Sequence, residues 1–147
     1  MAKKEAGVVK VINPVNIDFD IHDLFQVIIG ATILAVPVGF TQETWDLGSS
    51  LPISNIFILI AITLFFISIF TYFHYHRHQM KRNPEHHISR MIKRVFITYF
   101  FSFAVVAALL WAIDVTPWAT DPLLAFKRVA IVTLPSALGA TISDTIK

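Results

Sequence analysis

Residues 56 to 73 read Ile-Phe-Ile-Leu-Ile-Ala-Ile-Thr-Leu-Phe-Phe-Ile-Ser-Ile-Phe-Thr-Tyr-Phe and contain no charged side chain. As a helix rising about 1.5 Å per residue, this stretch is about 27 Å long, close to the hydrocarbon thickness of a bilayer. In hydrocarbon every backbone amide needs a partner within the segment, and a helix supplies one. Three further apolar stretches behave alike: Leu24 to Gln42, Val95 to Ile113, and Val129 to Ser143, the last reaching membrane length when it starts near Leu123. The expected fold is therefore all-α. It is a polytopic membrane helical bundle with four transmembrane helices at about 24–42, 54–73, 95–113 and 123–143, and a short cytoplasmic helical hairpin at 74–94. At 147 residues and 55% apolar composition the whole chain, 1–147, is one membrane domain with no room for a separate soluble one.

Basic residues near span ends set orientation. Arg77, Lys81, Arg82, Arg90, Lys93 and Arg94 all lie between the second and third spans, whereas Thr41 to Pro52 and Asp114 to Pro122 carry only Glu43, Asp46, Asp114 and Asp121. The hairpin is thus expected in the cytoplasm, and an even number of spans puts both termini there with it. Lys3, Lys4 and Lys10 agree. The net charge of +2 is local membrane asymmetry, not a nucleic-acid footprint. The basic hairpin is suited to anionic lipid headgroups at the cytoplasmic face.

Several chemistries are disfavoured by composition. The absence of cysteine rules out disulfides, thiol catalysis and cysteine-bound metal. Neither a cleavable signal nor a lipidation motif is apparent. No Gly-x-Ser-x-Gly or His-Glu-x-x-His occurs, so the chain is not expected to be an enzyme. Each histidine sits at or beyond a span end, which disfavours bundle-buried haem, and no cofactor is expected.

The hairpin holds His74, His76, His78, His86 and His87. On a helix His74 and His78 share a face, and across the turn His86 or His87 comes near His78. A solvated interfacial face, a pH sensor and a metal site all fit this pattern, although Arg77, Lys81 and Arg82 would repel a divalent cation. At the start of the first span, Asp18 or Asp20 caps the helix and Asp23 meets its positive end. A cation site at Asp18, Asp20, His22 and Asp23 is the functional alternative to capping.

Helices in lipid approach closely where small residues recur every fourth position. The first span has Ala31, Ala35 and Gly39, the third Ala104, Ala108 and Ala112, and the fourth Ser136 and Ala140 beside Gly139 and Ser143. The second has Phe57, Phe65, Phe66, Phe70, Tyr72 and Phe73 instead. Helices one, three and four are expected to touch, with the second facing lipid. Pro37 and Pro135, each followed by glycine, threonine and an acid, are expected to kink two antiparallel spans and free polar backbone inside the membrane. Lys127 and Arg128 enter the fourth span by one to two turns. They either snorkel to an interface with Trp111 and Trp118 or stand at the mouth of a polar path lined by Thr133, Ser136 and Thr141 and passing Pro37 and Thr41.

Residues 128 to 143, Arg-Val-Ala-Ile-Val-Thr-Leu-Pro-Ser-Ala-Leu-Gly-Ala-Thr-Ile-Ser, and residues 29 to 43, Ile-Gly-Ala-Thr-Ile-Leu-Ala-Val-Pro-Val-Gly-Phe-Thr-Gln-Glu, resemble a family of predicted prokaryotic integral membrane proteins of unknown function. The resemblance implies a multi-pass protein of a prokaryotic cell membrane and transfers no catalytic residue. The resemblance also implies that some longer relatives have more spans, which is compatible with this shorter chain working as a homo-oligomer. The expected function is that of an oligomeric ion channel or transporter. The alternative is a non-transporting scaffold or regulatory subunit whose histidine-rich hairpin responds to pH or metal.

Overall fold

A computed structural model of the protein describes residues 20–79 and 87–146, excepting the side chains of Tyr75, His78, Gln79 and His87. Among the described residues the chain forms five helices and no strand: α1 (Ile21–Gly39), α2 (Gln42–Ser50), α3 (Ile53–Gln79), α4 (His87–Ala112) and α5 (Pro122–Thr145). Four of them, all but α2, are long and apolar enough to cross a membrane. The Asp20 carboxylate accepts from the Ile21 amide at 2.7 Å and starts α1. Asp121 accepts from Leu124 N at 3.0 Å, with Pro122 in the first turn, and starts α5. At the other end of α4, Asp114 adopts a φ of 59° while Val115 N donates to Leu110 O and Asp114 N to Trp111 O. That is a Schellman ending with aspartate where glycine is usual.

The first apolar stretch stops earlier than its composition suggests. Helix α1 ends at Gly39, and Thr41 is extended, its hydroxyl donating to Val38 O at 2.9 Å and pairing with Thr44 at 2.8 Å. Gln42 then opens α2, a short helix that the acidic, polar segment 42–50 does not advertise. The Trp45 indole N–H donates to Gly39 O at 2.7 Å and folds α2 back over the end of α1.

Helix α5 is the centre. It packs against all four other helices, and half of its span is buried. Its tightest neighbour is α1, because both are glycine where they cross. A β-carbon on Gly139 would collide with Gly30 O, and one on Gly30 would collide with Gly139 O. Beside that crossing, Ser136 Oγ donates to Ala31 O at 3.0 Å. Gly30 faces Gly139 and Ser143 while Gly39 faces Val132, so the two helices run antiparallel. Beyond the crossing, Val132 of α5 and Leu110 of α4 fill the space over Gly39.

Helices α1, α4 and α5 do touch one another, as the sequence suggested, but α4 uses a different face. Ala104, Ala108 and Ala112 are exposed. The buried row is Thr98, Ser102, Val106 and Leu110, continued by the half-buried Arg94, and its larger members fit the shallow surface of α1. Complementary bulk, not matching smallness, selects that face. Helix α3 exposes Phe57, Phe65, Phe66, Phe70, Tyr72 and Phe73, as expected of a lipid-facing span. It is not wholly peripheral, for Ile56, Thr63, Ile67 and Thr71 are buried and the helix packs on α4 and α5.

Gly139→Ala forces the α1 and α5 backbones apart and should destabilise the protein by about 1–3 kcal/mol, the usual penalty of overpacking. Phe100→Leu, at an exposed position of α4, should leave stability nearly unchanged. Thermal unfolding of the two variants in one detergent compares them directly.

Candidate functional site

Polar groups collect at both ends of α5 and along its buried faces. At the end where α3 stops and α4 starts, Arg94 forks onto Asp144. Its Nε donates to Oδ2 at 2.9 Å, and its Nη2 donates to Oδ1 at 2.7 Å. Asp23 of α1 stands on the same guanidinium nitrogen at 3.6 Å. Both carboxylates are buried, 3% exposed for Asp23 and 5% for Asp144. Planar guanidinium geometry matches a carboxylate with two parallel bonds, and a charge this buried is sustained only by such pairing. Three helices thus meet in one carboxylate–guanidinium–carboxylate cluster.

At the α2 end, Lys127 and Arg128 are engaged by backbone. Lys127 Nζ donates to Leu51 O at 2.9 Å. Arg128 donates from Nη1 to Val115 O at 2.6 Å, from Nε to Trp45 O at 3.2 Å and, more distantly, from Nη2 to Ser49 Oγ at 3.4 Å. Its stem presses on Gly48, where a β-carbon would come within 2.6 Å of Arg128 Cγ. Cations belong at a helix C-terminus, where carbonyls are left over, and α2 ends here. The basic pair therefore fastens both loops of this end to α5. Glu43, Asp46, Asp114 and Asp121 remain exposed on the same surface.

Between the ends the interior is rich in hydroxyls. Thr63, Ser102, Thr133 and Thr141 are buried, and each donates to the carbonyl four residues earlier in its own helix. Ser136 reaches across to α1. Tyr99, packed beside Ile67, Val95 and Ala137, has a buried hydroxyl with no hydrogen-bond partner. Of the residues assigned to a polar path, Thr133, Ser136 and Thr141 are together in this interior, Lys127 and Arg128 lie at its α2 end, and Thr41 is at the α1–α2 corner. Pro135 is half-buried in α5, but Pro37 is exposed on the outer side of α1. Both prolines lie within unbroken helices.

Of the histidines, His74 is half-buried and has a partner. His76 is exposed and stacks on Tyr72, with ring centroids 5.6 Å apart. His86 and the side chains of His78 and His87 lie outside the described residues, as does Asp18. Among the described residues no group of three or more histidine or acidic side chains is placed to hold a metal ion.

The ionic cluster escapes a reading by segments. Arg94 resembles one more basic residue of the hairpin, and Asp23 resembles a helix-end acid. The signal lies in register: Asp23 precedes Val27, Ala31 and Ala35 at intervals of four, and Asp144 follows Ala140, Ser136 and Val132 in the same way. Each charge continues a buried row.

Arg94→Gln removes the forked partner of the buried Asp144 and should cost about 3–5 kcal/mol. Adding Asp144→Asn should recover part of that loss, a coupling that chemical or thermal unfolding of the single and double variants will measure. Arg128→Gln should instead accelerate amide exchange in residues 42–51 without touching the far end.

The model of one protein family, described as "Putative integral membrane protein (DUF2391)", matches residues 3–144. Neither the curated proteins nor the solved structures yield a match.

Proposed function

Since the chain belongs to the DUF2391 family of integral membrane proteins, we propose that it conducts or carries a small cation across a prokaryotic cell membrane, working as a homo-oligomer. The observation that carries this reading is the set of buried hydroxyls that do not join helices. Polar side chains in membrane bundles ordinarily serve as glue, bonding across an interface. Here Thr63, Ser102, Thr133 and Thr141 bond only within their own helices, so adhesion does not account for them. Their oxygens keep lone pairs to offer a passing cation. The unpartnered Tyr99 hydroxyl adds to this, since a buried polar group left unsatisfied is unfavourable and calls for a role.

Charge supports a cation over an anion. With Lys127 and Arg128 spent on carbonyls, the exposed charges of the α2 end are Glu43, Asp46, Asp114 and Asp121, which raise the local concentration of cations. The basic residues Arg77 and Lys93 favour the cytoplasm for the other end, and with it both termini, against anionic headgroups. The exposed row Ala104, Ala108 and Ala112 is the face on which a second copy approaches most closely.

One observation favours the rival reading, a scaffold or regulatory subunit that transports nothing. The interior rows are fully buried, and the hydroxyls of Thr133 and Thr141 are satisfied inside the chain. Flux decides between the two. Purified protein in liposomes should dissipate an imposed proton, sodium or potassium gradient, and Ser102→Ala with Thr133→Val should reduce the rate at least several-fold while the fold survives. Liposomes that hold all three gradients would leave the scaffold reading in place.

A further inference from the structure

The two ends of α5 are held by different chemistries. At the α2 end the acceptors are the carbonyls of Trp45, Leu51 and Val115, fixed parts of the backbone. At the other end, past the Gly30–Gly139 crossing that holds α5 to α1, the polar fastening of α5 to α4 is a side-chain ion pair, Arg94 on Asp144. Between them lies Pro135, which has no amide hydrogen and leaves the carbonyl of Ile131 without its helical donor. A helix bends most readily at such a point.

Arg94 also has an alternative anion in reach. Asp23 lies 3.6 Å from the nitrogen that serves Asp144, but on α1 instead of α5. A guanidinium leaving Asp144 therefore shifts to a neighbouring carboxylate without entering the membrane uncompensated, and this keeps the barrier to release low. Directly inside the cluster on α4 stand Thr98 and Ser102, both buried.

We infer that the Arg94–Asp144 fork is the latch of a gate at the end where α3 stops and α4 starts. When Arg94 passes from Asp144 to Asp23, the last turns of α5, past Gly139, swing away from α4 and admit water to Thr98 and Ser102, while Gly139 and Ser136 keep their contacts with α1. The α2 end stays fastened. Asp20, His22, Arg90 and Lys93 share this end of the bundle, and Arg90 and Asp23 have further interactions that bias the exchange. The gate acts on the path proposed above and rests on that reading for its purpose, but its motion is measurable without any transport.

The chain has no native cysteine, so a single introduced thiol reports unambiguously. Ser102→Cys is nearly isosteric at a fully buried position, and Thr141→Cys lies one turn from the latch. In membrane vesicles opened to that end of the bundle, both thiols should react slowly with a membrane-impermeant maleimide. Adding Asp144→Asn should speed labelling about tenfold or more, the size of a shift of one decade in the open population. Arg128→Gln should leave the rate unchanged, and the exchanged pair Arg94→Asp with Asp144→Arg should restore protection. If Asp144→Asn does not accumulate folded, Arg94→Lys replaces it, keeping the charge while losing the fork. Equal labelling with and without the latch overturns the inference. Faster labelling in a protein that moves no ion sustains the gate and removes the transport reading.

Discussion

The contact of two backbones at Gly30 and Gly139 governs the rest of this bundle. In lipid there is no hydrophobic gain from pressing one apolar helix on another, so adhesion comes from close van der Waals approach and from bonds between polar atoms. Glycine on both sides permits that approach, and it brings Ser136 within reach of Ala31 O. It also sets α1 and α5 antiparallel at a register in which Asp23 and Asp144 arrive at the same end, where one guanidinium serves both. Loosen the crossing and the ionic cluster loses its geometry. The helices do not need the cluster to meet, but the cluster needs the helices.

Around that pair the other elements follow from volume. The shallow groove left by Ala35 and Gly39 is filled by Leu110, Val106 and Val132, which draws in α4 through its bulkier face. Helix α3 closes the remaining side of α5 with Ile56 and Ile67 and turns its phenylalanines outward. Arg128 and Lys127 then gather both loops of the α2 end onto α5. The interior formed in this way sets buried hydroxyls among apolar clusters.

Much of the fold was legible in the amino acids, because runs without charge depend only on local composition. The small-residue rows of α1 and α5 were legible too, and they do meet. What composition could not rank was the two competing four-residue rows of α4, Ala104–Ala108–Ala112 and Thr98–Ser102–Val106–Leu110, since the choice depends on the shape of a partner surface. Helix α2 was hidden for a related reason. Its polar segment has little tendency to bury itself, and it is held by partners outside its own sequence, Arg128 on Trp45 O and Gly39 O under the Trp45 indole. The cluster of Asp23, Arg94 and Asp144 was visible only as continuations of buried rows, a sign that separates a core charge from a surface one when hydropathy does not.

The central position of α5 bears on how the molecule is assembled during synthesis. The helix that contacts all the others emerges after them, so α1, α3 and α4 enter the bilayer before their common partner exists. Until then Gly30 lacks the backbone it crosses and Arg94 lacks Asp144. Biogenesis is therefore a two-step affair, insertion first and consolidation later, and a ribosome that stalls before residue 122 releases a set of spans with no axis to gather around.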